Sequence, residues 1–322
     1  MSSATTAPQP AAGPALLGLE IGGTKLQIVV GDAAGRIGER RRFQVEPGRG
    51  AAGIRELLGA AVVELTAAHH PAAIGVGFGG PVDTRTGRIR CSHQIAGWSD
   101  FALGDWLQGL AGVPVRVDND ANVAAFGEAR HGAGRGANPV FYVTLGSGVG
   151  GGLVVDGRIY HGAPPGESEL GHVRLDRSGA TVESRCSGWA VDARIRALVA
   201  AGTPGTLCRL AAAQPGGEAR HLAAACREQD PAALGLLQEV AGDLAFGLSH
   251  VVQLMHPERV VLGGGLALVG EPLRAAVAAA LPAWVMEVFH GGPPVVLAGL
   301  GEDSVPIGAL ALAHSGPVAG GA

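Results

Sequence analysis

One arrangement occurs twice in this chain and limits what it can fold into: an apolar run of strand length, a cluster of glycines, then a second apolar run. The first copy is 16–21, then Gly22, Gly23, Thr24 and Lys25, then 26–30; the second is 139–145, then Gly146, Ser147 and Gly148, then 149–155. Short β-branched runs bounded by glycine read as strands joined by tight hairpins. A turn at 31–35 leads to a third strand over 36–45. Ile54, Leu57, Leu58, Ala61, Val62 and Leu65 recur at helical spacing, predicting a helix that ends near His69-His70-Pro71, a surface end whose histidines have no evident partner. A strand over 74–78 follows, then a strand over 113–117 and a helix over 123–130.

After the second hairpin comes a polar insertion, 156–189. Helical patterns cover 191–200 and 231–255, the second opened by Asp230 as N-cap and Pro231 at the first helical position. Residues 203–217 read as loop. A strand at 260–262, a helix over 272–281, a strand at 294–297 and a last helix over 306–314 complete the chain. The order of strands, helix and strand appears once before and once after about residue 123, which predicts an α/β protein of two related halves with a ligand cleft between them. The expected division is a disordered tail (1–14), a smaller N-terminal domain (15–122 plus 303–322) and a larger C-terminal domain (123–302).

Composition removes several function classes. The 322 residues suffice for two domains with a sizeable core, and a net charge of −4 offers no electrostatic footprint for nucleic acid or an anionic membrane. Arg40-Arg41-Arg42 is too short a basic run to supply one and reads as a solvated strand end. The four cysteines, Cys91, Cys186, Cys208 and Cys226, form no C-x-x-C pair, so a disulfide framework is not expected. No basic residue precedes the first apolar run and no stretch reaches the roughly 20 apolar residues of a membrane helix. A soluble cytoplasmic protein is expected.

The chemistry centres on Asp118, Asn119, Asp120 and Asn122, where a strand end meets a helix start. Ligands of α/β proteins bind at that edge, and a carboxylate held there can take a proton from a substrate hydroxyl. Asn119 or Asp120 could equally be a helix N-cap. Around this centre, the two glycine turns could bring backbone N–H groups onto phosphate, with Thr24 and Thr144 adding hydroxyls and Lys25 a charge. Neither is a P-loop, and Gly263-Gly264-Gly265 lacks the spacing of a dinucleotide fingerprint. Glu169 and His172, three apart, could face neighbouring hydroxyls of one polar ligand, or form an ordinary surface turn.

From Leu16 to Ala313 these motifs resemble, in order, those of the ROK family (repressors, open reading frames and sugar kinases) of the actin/hexokinase-like superfamily. Residues 20–25 are similar to its first phosphate motif, Gly79-Gly80-Pro81 to its sugar loop, and residues 119–122 to its catalytic segment. Residues 144–152 are similar to the second phosphate motif, 169–172 to E-x-G-H, and 263–265 to the adenosine motif. The resemblance implies phosphoryl transfer from ATP to a hexose hydroxyl, glucose or a related or N-acetylated hexose, with Asp120 as general base. Gly80, Gln94, Asn119, Glu169 and His172 would bind the sugar. Gly22, Gly23, Thr24, Lys25, Thr144 and Gly146 would surround the phosphates, Gly264 would pack on adenosine, and Mg²⁺, reached by Glu20 through water, would bridge phosphate oxygens. A homodimer is expected.

Three positions depart from the family pattern. Glu20 stands where the first phosphate motif normally begins with Asp. Only Cys186 follows His172, so the family's structural zinc is not expected here, and its further sugar-binding Glu has no match around Ser187-Gly188-Trp189. Gln94 replaces an Asn ahead of Gly97-Trp98, which bears on sugar preference. Other expectations are a catalytically weakened sugar sensor, a polyphosphate-using glucokinase and, least of all, a repressor, since some fifteen residues before the first strand are too few for a helix-turn-helix domain.

Overall fold

The computed structural model describes residues 13–23, 25–92, 95–164, 168–289 and 291–315, so most of the expected N-terminal tail lies outside the described residues. The chain divides into two units. The first comprises 1–131, 161–166 and 303–322, the second 132–160 and 167–302.

In the first unit β1 (Leu16–Ile21) is buried along its whole length, as expected of an apolar run covered on both faces. It pairs antiparallel with β2 (Leu26–Gly31), which pairs antiparallel with β3 (Ile37–Phe43). On its other side β1 pairs parallel with β4 (Ile74–Phe78), and β4 parallel with β8 (Val115–Asn119), giving the order β3-β2-β1-β4-β8. α1 (Gly50–His69) presents Ile54, Leu58, Val62 and Leu65 to the core and stops at His70, which is left-handed at φ 48°. α3 (Asp120–His131) and α10 (Ser304–His314) pack on each other. Their approach needs glycine: a Cβ at Gly308 would run into the carbonyl of Val123, and one at Gly75 into that of Ala309.

Between β4 and β8 the chain forms β5 (Val82–Asp83), β6 (Arg88–Ile89) and β7 (Phe101–Ala102) as a small antiparallel sheet, then α2 (Leu103–Ala111). Sequence reading does not find α2, because Gly104 and Gly109 dilute its periodicity; its core side is Leu103, Leu107 and Ala111. The basic run also differs from expectation. Arg40 pairs with Asp303 at 2.7 Å and Arg41 with Glu64 at 2.7 Å, both reaching out from within β3. His69 Nε2 lies 2.8 Å from Glu39 Oε2, so that helix end is tied to the sheet.

The second unit repeats the strand order. β9 (Val140–Leu145) pairs antiparallel with β10 (Val149–Val155), which pairs with β11 (Arg158–Ile159); on the other side lie β12 (Arg259–Gly263) and β13 (Val295–Leu297), both parallel. The order is β11-β10-β9-β12-β13. α8 (Pro231–Met255) begins where Asp230 predicts, with Oδ1 accepting from Ala232 and Ala233 N–H. The remaining helices are α4 (Val182–Cys186), α5 (Gly188–Ala200), α6 (Thr206–Ala213), α7 (Leu222–Arg227) and α9 (Glu271–Ala280). α6 lies in the stretch expected to be loop. It has no side-chain cap of its own at Gly205; Leu207 N–H instead donates to Asp230 Oδ2 at 2.8 Å, a partner 23 residues away. Among the described residues no helix is long and apolar enough to cross a membrane.

Candidate active site

In the first unit three separate sequence motifs meet at one point. β8 runs through Asn119 and α3 starts at Asp120, so the Asp120 carboxylate sits in the first turn of a helix, where the dipole favours negative charge. Gly79 N–H donates to Ile21 O at 2.8 Å. A Cβ at Gly79 would stand 3.4 Å from Asp120 Oδ2 and 3.4 Å from the Gly22 Cα. Gly22, Gly79 and Asp120 are thus brought together by the parallel order of β1, β4 and β8, whose C-terminal ends lie side by side. Gly22 N–H donates to Lys25 O at 2.8 Å, closing the turn that also holds Gly23; Lys25 is exposed.

Asn119 does two things at once. Its Oδ1 accepts from Ala121 N–H at 2.9 Å and Asn122 N–H at 3.3 Å, which makes it the N-cap of α3. Its Nδ2 donates to Gly80 O at 3.3 Å, tying the sugar-loop motif to the strand end. Thr24 and Gln94 lie outside the described residues.

Glu20 is 8% exposed and faces Gln27, its cross-strand partner on β2, whose Nε2 donates to Glu20 Oε2 at 2.5 Å. Gln27 Oε1 accepts from Arg40 Nη1 at 3.3 Å, and Arg40 in turn pairs with Asp303. The carboxylate at the end of β1, beside the first glycine turn, is therefore held by a chain of polar contacts crossing β1, β2 and β3.

In the second unit the two remaining glycine motifs also converge. Gly263 is in register with Thr144, and the left-handed Gly264 (φ 84°) lies so close to β9 that a Cβ there would be 2.5 Å from Leu145 N. Only glycine allows both that φ and that approach. Gly146 N–H donates to Gly148 O at 2.9 Å, and Gly146 O accepts from Gly188 N–H at 2.7 Å. Glu169 precedes a single 3₁₀ turn, Leu170–His172, which seats against β10 because Gly171 has no Cβ to strike Val149 O. Glu169 Oε2 and His172 Nε2 lie 3.9 Å apart with both side chains largely exposed, so the pair does share one side.

Comparison with known proteins gives one consistent answer. A sequence description of the ROK family matches residues 16–316. The chain belongs to the ROK family. It is 31% identical over 307 residues to a glucokinase of Halalkalibacterium halodurans, covering 91% of this chain and 92% of that protein. A ROK family glucokinase from Streptomyces griseus, solved in complex with glucose and AMPPNP, is 31% identical with a TM-score of 0.81, covering 94% of this chain and 100% of its own. A ROK hexokinase from Thermus thermophilus is 30% identical, with a TM-score of 0.73 and coverage of 93% and 98%. The fold is accordingly α/β of the actin/hexokinase-like type, and the protein is a carbohydrate kinase.

Three features of the structure escape sequence reading. Glu183 lies in the first turn of α4, and its Oε2 accepts from Val149 N–H at 2.9 Å, beside Gly148 and close to Gly171. It is an acidic group adjoining both the second glycine turn and the E-x-G-H segment. Thr181, a favoured N-cap residue, is the local signal that would have marked that helix start. Asp118, 2% exposed, and His161 form a pair at 2.6 Å that no local pattern announces. Cys186 is buried among apolar residues with Sγ 3.6 Å from Val240 O; burial, aided by the charge of Asp243, pushes its thiol up to about 12.

Proposed function

We propose that this ROK kinase transfers the γ-phosphoryl group of ATP to a hydroxyl of glucose or a closely related hexose, with Asp120 as the general base. The observation that carries the reading is the meeting of Gly22, Gly79 and Asp120 at one strand edge. It puts a carboxylate, a phosphate-type turn and the sugar-loop backbone within one small ligand's reach. Asn119, the Gly80 backbone, Gln94, Glu169 and His172 are assigned to the sugar by their places in the motifs. By their places in the motifs, Gly22, Gly23, Thr24, Lys25, Thr144 and Gly146 are assigned to the phosphates and Gly264 to adenosine.

Phosphoryl transfer asks the protein mainly to position reactants and stabilise charge. Asp120, at a helix N-terminus, accepts the acceptor hydroxyl's proton as the oxygen bonds to phosphorus and the bond to the leaving ADP oxygen breaks. Mg²⁺ would neutralise phosphate charge; the one buried carboxylate at the first turn, Glu20, suits an ion held mostly by phosphate oxygens and water. The reading also includes assembly as a homodimer, which size-exclusion chromatography with light scattering would check.

A coupled ADP-release assay over a panel of hexoses tests the reading. Glucose or a near relative should turn over with ATP, and Asp120→Asn should lower kcat by roughly 10²–10⁴-fold, the usual contribution of a positioned base. No turnover with any hexose, or an undiminished Asp120→Asn, would refute it.

A further inference from the structure

Asp118 stands two residues before the base and points into the protein, 2% exposed. A buried carboxylate persists only with partners, and this one divides them between its two oxygens. Oδ1 accepts from Asn119 N–H at 2.8 Å and Asn122 Nδ2 at 3.0 Å. Oδ2 is 2.6 Å from His161 Nε2. Since a carboxylate only accepts, the proton of that bond is on the imidazole. Asn119 belongs to the end of β8 and Asn122, fully buried, to the first turn of α3. Asp118 Oδ1 therefore grips both ends of the bend whose middle member is Asp120. His161 reaches this point from 43 residues away, within the short segment after β11 that groups with the first unit, and is followed by the left-handed Gly162 (φ 64°).

We infer that His161 is a positioning residue for phosphoryl transfer: by holding Asp118 Oδ2 it fixes the rotamer in which Oδ1 clamps the strand-to-helix bend, and so the direction of the Asp120 carboxylate. This rests on the reading of Asp120 as general base. Without the imidazole, Asp118 is left with one oxygen buried and unpaired, and turning that oxygen toward another donor releases Asn122 or the Asn119 amide. The base then stays in the site but misaligned, which costs rate more than binding.

The test uses the full chain with His161→Ala, His161→Gln, Asp118→Asn and the double variant His161→Ala/Asp118→Asn, with Asp120→Asn as control. Measured are kcat, KM for hexose, KM for ATP and the urea unfolding midpoint. His161→Ala should lower kcat by about 10–100-fold, as small misplacements of a reacting group do, with KM for ATP within about twofold of the parent. His161→Gln, which still donates to Asp118, should recover most of the loss. The double variant should be little worse than the poorer single, because both act through one contact. A kcat for His161→Ala near the parent's, no recovery with Gln, or additive losses would overturn the inference. If His161→Ala does not fold, His161→Gln with near-parent kcat beside an impaired Asp118→Asn supports it, and both at parent rate overturn it. An unimpaired Asp120→Asn overturns the base assignment itself, and with it the inference; a dead Asp120→Asn beside an unimpaired His161→Ala overturns the positioning role alone.

Discussion

Replacing Asn119 separates its two tasks. In Asn119→Ala, α3 loses its cap, since Ala121 N–H at 2.9 Å and Asn122 N–H at 3.3 Å lose their acceptor; truncating such a cap costs about 1 kcal/mol. The bond from Nδ2 to Gly80 O at 3.3 Å is lost as well, worth about 1 kcal/mol more. The sum, about 2 kcal/mol, should lower the thermal midpoint of the first unit by roughly 4–8 °C, given its size. Asn119→Asp retains the cap oxygen, and Asp caps as well as Asn, but turns an acceptor toward the Gly80 carbonyl. It should keep stability to within about 1 kcal/mol of the parent, yet raise KM for hexose roughly tenfold through loss of one oriented donor. Circular dichroism against temperature and urea, paired with the ADP-release assay, reads both quantities. Equal destabilisation by Ala and Asp would refute the cap, and an unchanged KM in Asn119→Asp would refute the link from cap to sugar loop.

Other expectations follow from buried polar groups. Glu20→Gln keeps the size of the side chain and removes its charge. The Mg²⁺ concentration for half-maximal activity should rise roughly tenfold, as when a group acting on a metal through water is altered, with KM for hexose unchanged; an unaltered metal requirement would exclude Glu20 from that role. Burial pushes the thiols of Cys186, Cys208 and Cys226 up, while Cys91 is only half-buried. Iodoacetamide at about pH 8 should therefore add one label to the native protein and four after unfolding, read by intact mass. At Asp230 burial opposes the charge, but the amides of Leu207, Ala233 and Ala232 outweigh it and hold the carboxyl below its usual range. Its stabilisation is present above the ordinary carboxylate range and is lost as pH falls through the lowered value. Asp230→Asn should cost about 1–3 kcal/mol at neutral pH, since Leu207 N–H loses its acceptor. That difference should shrink below about pH 4 in urea titrations.

The sequence by itself determined the elements that rest on local chemistry. The glycine turns after β1 and β9 needed only alternation of apolar runs with residues lacking Cβ. α8 needed only Asp230, Pro231 and its helical spacing, and the motif order alone was enough to imply a sugar kinase. α2 and α6 escaped for a reason in the same terms: glycines blur the periodicity of one, and the first turn of the other donates to a carboxylate 23 positions downstream. Only the tertiary structure decided what lies across from what. That Glu20 meets Gln27, that Glu183 meets Val149, and that His161 holds Asp118 are facts of strand register and chain crossing. A buried charge must find partners wherever the fold supplies them, and sequence distance places no limit on where that is. Likewise Asp120 could be read as cap or base from its neighbours. Folding gave the cap to Asn119 and set the Asp120 carboxylate beside the backbones of Gly22 and Gly79, because parallel strands align their C-terminal ends.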